Sequence, residues 1–281
     1  MNGSALISCE ELRQNPHSDK QVILDATFFL PRQQRNAKEE YRQSHIPDAL
    51  FFDIDEIADP NAPLPHTLPN AERFAEAAGK MGIADDTPVI VYDNNHFFAA
   101  ARAWWMFRVF GHDHVKVLDG GLARWGQLAY SEESMLPSPR PQRCFGARYR
   151  SELVCDISTM KQIQQDSGRQ IIDARSPESF QGRRSLSEPG LQPGHIPGSI
   201  NIPYSGLTDS EQRLLPPADL RELFSAAGAD LTEPIVTTCG SGVSACVLAL
   251  ALYRLGIEIV PVYDGSWAEW GRHPDTPKQT L

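Results

Sequence analysis

The sequence predicts an α/β protein of two tandem domains, each a mostly parallel sheet flanked by helices. Three observations carry that expectation: length, an internal repeat, and the alternation of short apolar runs with longer amphipathic segments. At 281 residues the chain exceeds what a single hydrophobic core usually holds. It is also written twice. Asp25-Ala26 after VIL answers Asp173-Ala174 after II, and His45-Ile46-Pro47 answers His195-Ile196-Pro197. PVIVYD ending at Asp93 answers PIVTTC ending at Cys239, Gly111 answers Gly256, and LDGGLARW at 118–125 answers YDGSWAEW at 263–270. The offsets stay between 145 and 150 residues, so the two halves are copies of one unit.

Within the first copy the order is VILDA, a loop through HIP, PVIVYD, RAWWMFRVFG and VKVLDGG. Short β-branched runs separated by helical stretches imply βα units, hence parallel strands covered by helices. The stretch SEESMLPSPRPQRCFGARYR at 131–150 has three prolines and no sustained apolar period, as linkers do. The expected boundaries are an N-terminal noncatalytic domain at 1–135, a linker at 136–151 and a C-terminal catalytic domain at 152–281.

Composition narrows the partners. With 41% hydrophobic and 22% charged residues the chain can bury a core. Its 26 Lys plus Arg against 36 Asp plus Glu give a formal charge of -10, which repels phosphate backbones and anionic headgroups. Nucleic acid and membrane are therefore not expected partners. The apolar run ACVLALALY at 245–253 is too short to span a bilayer. The N-terminus has no basic region ahead of an apolar stretch, so a cytoplasmic location is expected. Five scattered cysteines without CxxC spacing argue against both a disulfide framework and a zinc site. No metal and no organic cofactor are expected.

The chemistry concentrates at Cys239. PIVTTC reads as a strand, and CVLALALYRLG from Cys246 as a helix closed by Gly256. Between them, Gly240, Ser241, Gly242, Val243 and Ser244 form a loop whose glycines let successive N–H groups converge, beside the positive end of the next helix. Such a nest favours an anion, and a cysteine at its start is expected to be a reactive thiolate. The plain alternative is a small buried hydrophobe at a strand end. A phosphatase loop also cradles a thiolate, but it needs an arginine six residues after the cysteine, where this chain has Ala245. Cys246 fits helix packing better than a resolving thiol, and Cys9, Cys144 and Cys155 lack any such setting.

FFDID at 51–55, PLPHTLP at 63–69, RAWWMFRVFG at 102–111, GHIPGSINIP at 194–203, CGSGVSAC at 239–246 and YDGSWAEW at 263–270 together resemble the two-domain rhodanese-like sulfurtransferases. The resemblance covers roughly Ile23 to Gly271. It implies two rhodanese-like domains, with an aspartate, here Asp93, where the first has lost its cysteine. It implies a Cys239 persulfide loaded from a small-molecule sulfur donor and discharged to a thiol, cyanide or a thioredoxin-like acceptor. The neutral loop Cys-Gly-Ser-Gly-Val resembles the branch that uses 3-mercaptopyruvate, with thiosulfate as the other donor. A noncatalytic sulfur-carrier or redox module is the alternative from a different class.

By the same resemblance Ser241, His66 and Asp55 form a proton relay, and Gly240, Gly242, Val243 and Ser244 line the substrate. Where the family carries two carboxylate-gripping arginines, this chain has Ser179 and Glu188. Arg183 and Arg184 lie between them as candidate replacements, or as a solvated basic pair, and Arg102 is a further candidate from the first domain. His66 also fits a loop histidine bonded to backbone. His45 and His195, present in both copies, read as structural, as do Asp25, Asp173, Asp119 and Asp264. The five tryptophans read as core or wall of the site.

Overall fold

Strands fully covered on both faces read as continuous apolar runs, and this chain has a pair of them in each half. The computed structural model describes residues 4–14, 20–184 and 189–281. In the first half the strands are β1 (Leu6–Ile7), β2 (Val22–Asp25), β3 (Leu50–Phe51), β4 (Val89–Tyr92) and β5 (Val115–Leu118). They form one parallel sheet in the order β1-β5-β4-β2-β3. The second half repeats it with β6 (Val154–Cys155), β7 (Gln170–Asp173), β8 (Ile200–Asn201), β9 (Ile235–Thr238) and β10 (Val262–Tyr263). Their order is β6-β10-β9-β7-β8, again parallel. The sequence repeat is thus a repeat of topology. In each sheet the strand order reverses beside the ends of β4 and β9, which is where ligands bind in open parallel sheets.

Every residue of β2, β4 and β9 is buried, as central strands under helices require. Helix Ala71–Lys80 starts at Asn70, whose side chain accepts the Arg73 N–H at 2.8 Å. Helix Ala100–Val109 is buried along its whole length, and helix Ala245–Arg254 from Ala245 to Leu252. Gly256, at φ 92, closes the latter as expected. All five tryptophans are buried, Trp104 and Trp105 in one helix and Trp125, Trp267 and Trp270 in the terminal helices of the two sheets.

Two compact units follow the repeat. The first holds the described residues up to Pro60, Leu68–Arg150 and Thr208–Leu214. The second holds Asn61–Thr67, Ser151–Leu207 and Leu215–Leu281. The stretch 136–151, read from sequence as a linker, lies along the first unit as far as Arg150. There the Arg143 N–H donates to Gly79 O, Arg148 to Phe110 O and Arg150 to Val109 O at 2.7 to 3.0 Å. Phe145 is buried with its ring edge-on to Phe74 and Phe107. Proline content marked irregular backbone, but irregular backbone still packs when its N–H groups find carbonyls.

His45 and His195 are structural in both copies. Each exchanges two backbone hydrogen bonds with the chain's return, His45 with Glu133 and His195 with Gln279. Their Nδ1 atoms bond Tyr41 O at 2.6 Å and Phe180 O at 2.8 Å. Among the described residues no helix is long and apolar enough to cross a membrane, and no cluster of ligating side chains fits a metal ion.

Candidate active site

Cys239 follows the last residue of β9 and is 1% exposed. From it the chain turns through Gly242, at φ 77, into helix Ala245–Arg254. That left-handed conformation suits glycine and tightens the loop. Two N–H groups of the helix Ser266–Trp270 hold the loop from outside, Trp267 donating to Cys239 O at 3.0 Å and Ala268 to Gly240 O at 2.8 Å. The N–H groups of Gly240, Ser241, Val243 and Ser244 meet no acceptor among the described residues. Donors of this kind between a strand end and a helix start are able to hold an anion.

The first unit shows the same loop filled. Asp93 follows β4 and is 4% exposed. Its Oδ1 accepts the N–H groups of Asn95 and Phe97 at 3.1 Å, and its Oδ2 those of Ala99 at 3.0 Å and Ala100 at 2.9 Å. The carboxylate thus occupies its own nest, while burial pushes its pKa up against those donors. A cavity of about 450 Å³ lies at this edge, lined by Asp25, Thr27, Tyr41, Asn94 and Glu132 among others, with no cysteine in its lining.

Other thiols are poor nucleophiles by their surroundings. Burial pushes Cys9 and Cys155 up to about 12, and each Sγ contacts a backbone carbonyl. The Cys246 Sγ donates to Gly242 O at 3.3 Å, consistent with helix packing. Cys144 is exposed, and all five cysteines are free. Ala245, where a phosphatase loop needs its arginine, is fully buried and begins the helix.

The structure places the remaining candidates as follows. Ser241 and His66 both belong to the second unit, His66 half-buried in a turn at φ 59. Asp55 belongs to the first, exposed in the first turn of helix Ile54–Ile57, its N–H on Asp53 Oδ1. Arg183 and Arg184 are exposed, both N–H groups on Glu178 O. Ser179 accepts the Ser176 hydroxyl at 3.2 Å. Glu188 lies outside the described residues. Arg102 is 1% exposed, its guanidinium 4.5 Å over the Trp105 ring.

Sequence reasoning missed two features. Arg175 grips Asp173, at the end of β7 beside β9, with bonds of 2.7 to 3.0 Å, and its guanidinium lies 4.6 Å over Trp267. Ser266, which lies within YDGSWAEW but was given no role there, accepts the Cys239 backbone N–H at 3.1 Å. The signal for it was in the repeat, where Ser266 answers Gly121 just as Cys239 answers Asp93.

Two copies of a parallel α/β unit, with a cysteine after the central strand of one and an aspartate at the matching place in the other, define a tandem-domain α/β protein whose second copy carries a candidate thiol site. The sequence model of the rhodanese-like domain matches residues 8–128 and again 156–273, and the chain belongs to that family. It is 40% identical over 269 residues to 3-mercaptopyruvate sulfurtransferase of Homo sapiens, covering 95% of this chain and 90% of that one. It is also 40% identical to thiosulfate/3-mercaptopyruvate sulfurtransferase 1, mitochondrial, of Arabidopsis thaliana, covering 98% of this chain and 78% of that one. Among solved structures, SseA from Escherichia coli, described as a 3-mercaptopyruvate sulfotransferase with the rhodanese fold, superposes with a TM-score of 0.86 at 37% identity. That match covers 95% of this chain and all of SseA.

Proposed function

We propose that the protein is a sulfurtransferase that moves sulfane sulfur from 3-mercaptopyruvate to a thiol or cyanide through a persulfide on Cys239. The observation that carries this is the contrast between the two nests. One is filled by the carboxylate of Asp93, and in the other, beside a cysteine, the N–H groups of Gly240, Ser241, Val243 and Ser244 meet no acceptor among the described residues. In the first step the Cys239 thiolate attacks the donor's sulfur, the carbon–sulfur bond breaks, and pyruvate leaves as its enolate and takes up a proton. In the second, the acceptor attacks the outer sulfur, the sulfur–sulfur bond breaks, and the Cys239 thiolate returns. Backbone donors stabilise the anion in both steps without reorganising.

On the same reading Ser241, His66 and Asp55 relay the proton to the departing enolate. Arg183 and Arg184, with Arg102, are the cations proposed to attract the donor's carboxylate. The names of the relatives above support the choice of donor. A thioredoxin-like protein is the proposed macromolecular acceptor. Five free cysteines without disulfide spacing support a cytoplasmic location.

The test is to incubate reduced protein with 3-mercaptopyruvate or with thiosulfate, and to follow intact mass and then thiocyanate on adding cyanide. The expected result is a one-sulfur adduct at Cys239, formed faster from 3-mercaptopyruvate and absent in Cys239→Ser. Faster loading from thiosulfate reassigns the donor. Transfer by Cys239→Ser, or no adduct from either donor, overturns the proposal.

A further inference from the structure

Ser266 is completely buried and sits at φ 48, a left-handed conformation that L side chains rarely adopt. Such a residue persists only where its surroundings hold it, and these cluster at sites of function. Its counterpart Gly121 takes the same conformation, at φ 56, without strain. There a Cβ would lie 2.2 Å from Asp93 O, so the first unit admits only glycine. The second unit replaces that glycine with a serine at the very place where it replaces Asp93 with Cys239. These two replacements are in contact.

The hydroxyl of Ser266 faces four groups. It accepts the Cys239 N–H at 3.1 Å and the Thr238 hydroxyl at 3.4 Å, donates to Tyr263 O at 2.7 Å, and lies 3.9 Å from Cys239 Sγ. A hydroxyl has one proton, so it serves either the Tyr263 carbonyl or the sulfur. With a neutral thiol the carbonyl is the nearer and better acceptor. A thiolate or persulfide reverses that preference, because an ionised acceptor strengthens the bond it receives.

Resting on the sulfurtransferase reading, we propose that Ser266 is a positioning residue for that reaction, anchoring the Cys239 backbone and turning its hydroxyl proton to Sγ when the sulfur is charged. No bond to carbon or sulfur changes at Ser266, and its proton is retained throughout.

Other charged or titratable groups lie on the elements packed against Cys239. They are Asp173 at the end of β7 and Arg175 just beyond it, Tyr263, Asp264 and Glu269 on the segment that carries Ser266, and Cys246 on the helix that follows Cys239. Asp173 is paired with Arg175, and Tyr263 donates to Glu269 at 2.8 Å. A substitution at Ser266 leaves all of them in place.

The experiment compares wild type with Ser266→Ala and Ser266→Gly. Both lose the hydroxyl; alanine keeps the strained backbone and glycine relieves it, so glycine secures a folded variant. Cys239 alkylation by iodoacetamide is followed against pH, with the site mapped by mass, alongside kcat and KM for sulfur transfer from 3-mercaptopyruvate. The expected result, shared by both variants, is an alkylation midpoint raised by about one pH unit and kcat lowered roughly tenfold, with KM unchanged. A midpoint within about 0.3 pH unit of wild type and kcat within twofold in both variants, or a loss confined to Ser266→Ala, overturns the proposal. Alkylation needs no sulfur donor, so a raised midpoint in a protein that forms no persulfide would remove the donor assignment and leave the hydroxyl's action on the thiol.

Discussion

The Oδ2 of Asp93 accepts the N–H of Ala100 at 2.9 Å, closing the loop between strand β4 and the helix that follows with the chain's own carboxylate. Three more N–H groups converge on the same side chain. An asparagine has one acceptor oxygen, so its amide NH2 would be driven against donors. Asp93→Asn should therefore destabilise the first unit by about 1–3 kcal/mol. Hydrogen exchange in helix Ala100–Val109 is the measurement, and unchanged protection there would contradict the self-filled nest.

Asp25 gives a pH dependence of defined sign. Burial pushes its carboxyl up to about 6, although Thr27 and Tyr92 hydrogen-bond it. The unfolded chain releases that proton near its ordinary value of 3.8, the folded protein only near 6. Folding is therefore favoured below about pH 4, and that contribution, up to roughly 3 kcal/mol, is lost as pH rises through 6. Asp25→Asn keeps an acceptor for the Thr27 N–H and cannot ionise. Its melting temperature relative to wild type should rise between pH 4 and pH 7; a constant difference would refute the assignment.

Two glycines separate backbone need from open space. At Gly121 the left-handed backbone and the approach of Asp93 O leave no room for a Cβ, whereas a Cβ at Gly240 meets nothing within 4 Å. Gly121→Ala should cost several kcal/mol or fail to fold, and Gly240→Ala should melt within about a degree of wild type. Thermal unfolding of the pair decides it; equal losses would mean that the close approach at Gly121 is not the cause.

Arg175 and Asp173 form a nearly buried ion pair, their side chains 10% and 1% exposed. Removing one charge strands the other, so Asp173→Ala should lose about 3–5 kcal/mol. The double variant Asp173→Ala with Arg175→Met should recover a large part of it. A double variant no more stable than the single one, by urea unfolding, would show that the pair acts through Arg175's other contacts with Gly194 O and the Trp267 ring.

The βα alternation and the five ordered blocks made the class, the duplication and the glycine loop and helix that follow β9 readable, because periodicity and glycine spacing are local properties. Cys239 was legible for the same reason, since strand, glycine loop and helix adjoin in sequence. Ser266 was not, because its meaning depends on a contact between residues 27 positions apart. Arg175 looked like one basic residue among many until β7 and β9 came side by side.

The amino-acid order by itself determined two parallel-sheet copies, with a cysteine after the central strand of one and an aspartate at the matching place in the other, since each is written within a short stretch of chain. Only the tertiary structure decided that Asp93 fills the nest it borders, that 136–150 packs along the first unit, and that a strained serine backs the cysteine. Those outcomes depend on where N–H groups, carbonyls and hydroxyls meet once the sheets close. That meeting is set by packing and by the cost of leaving buried polar groups unpaired.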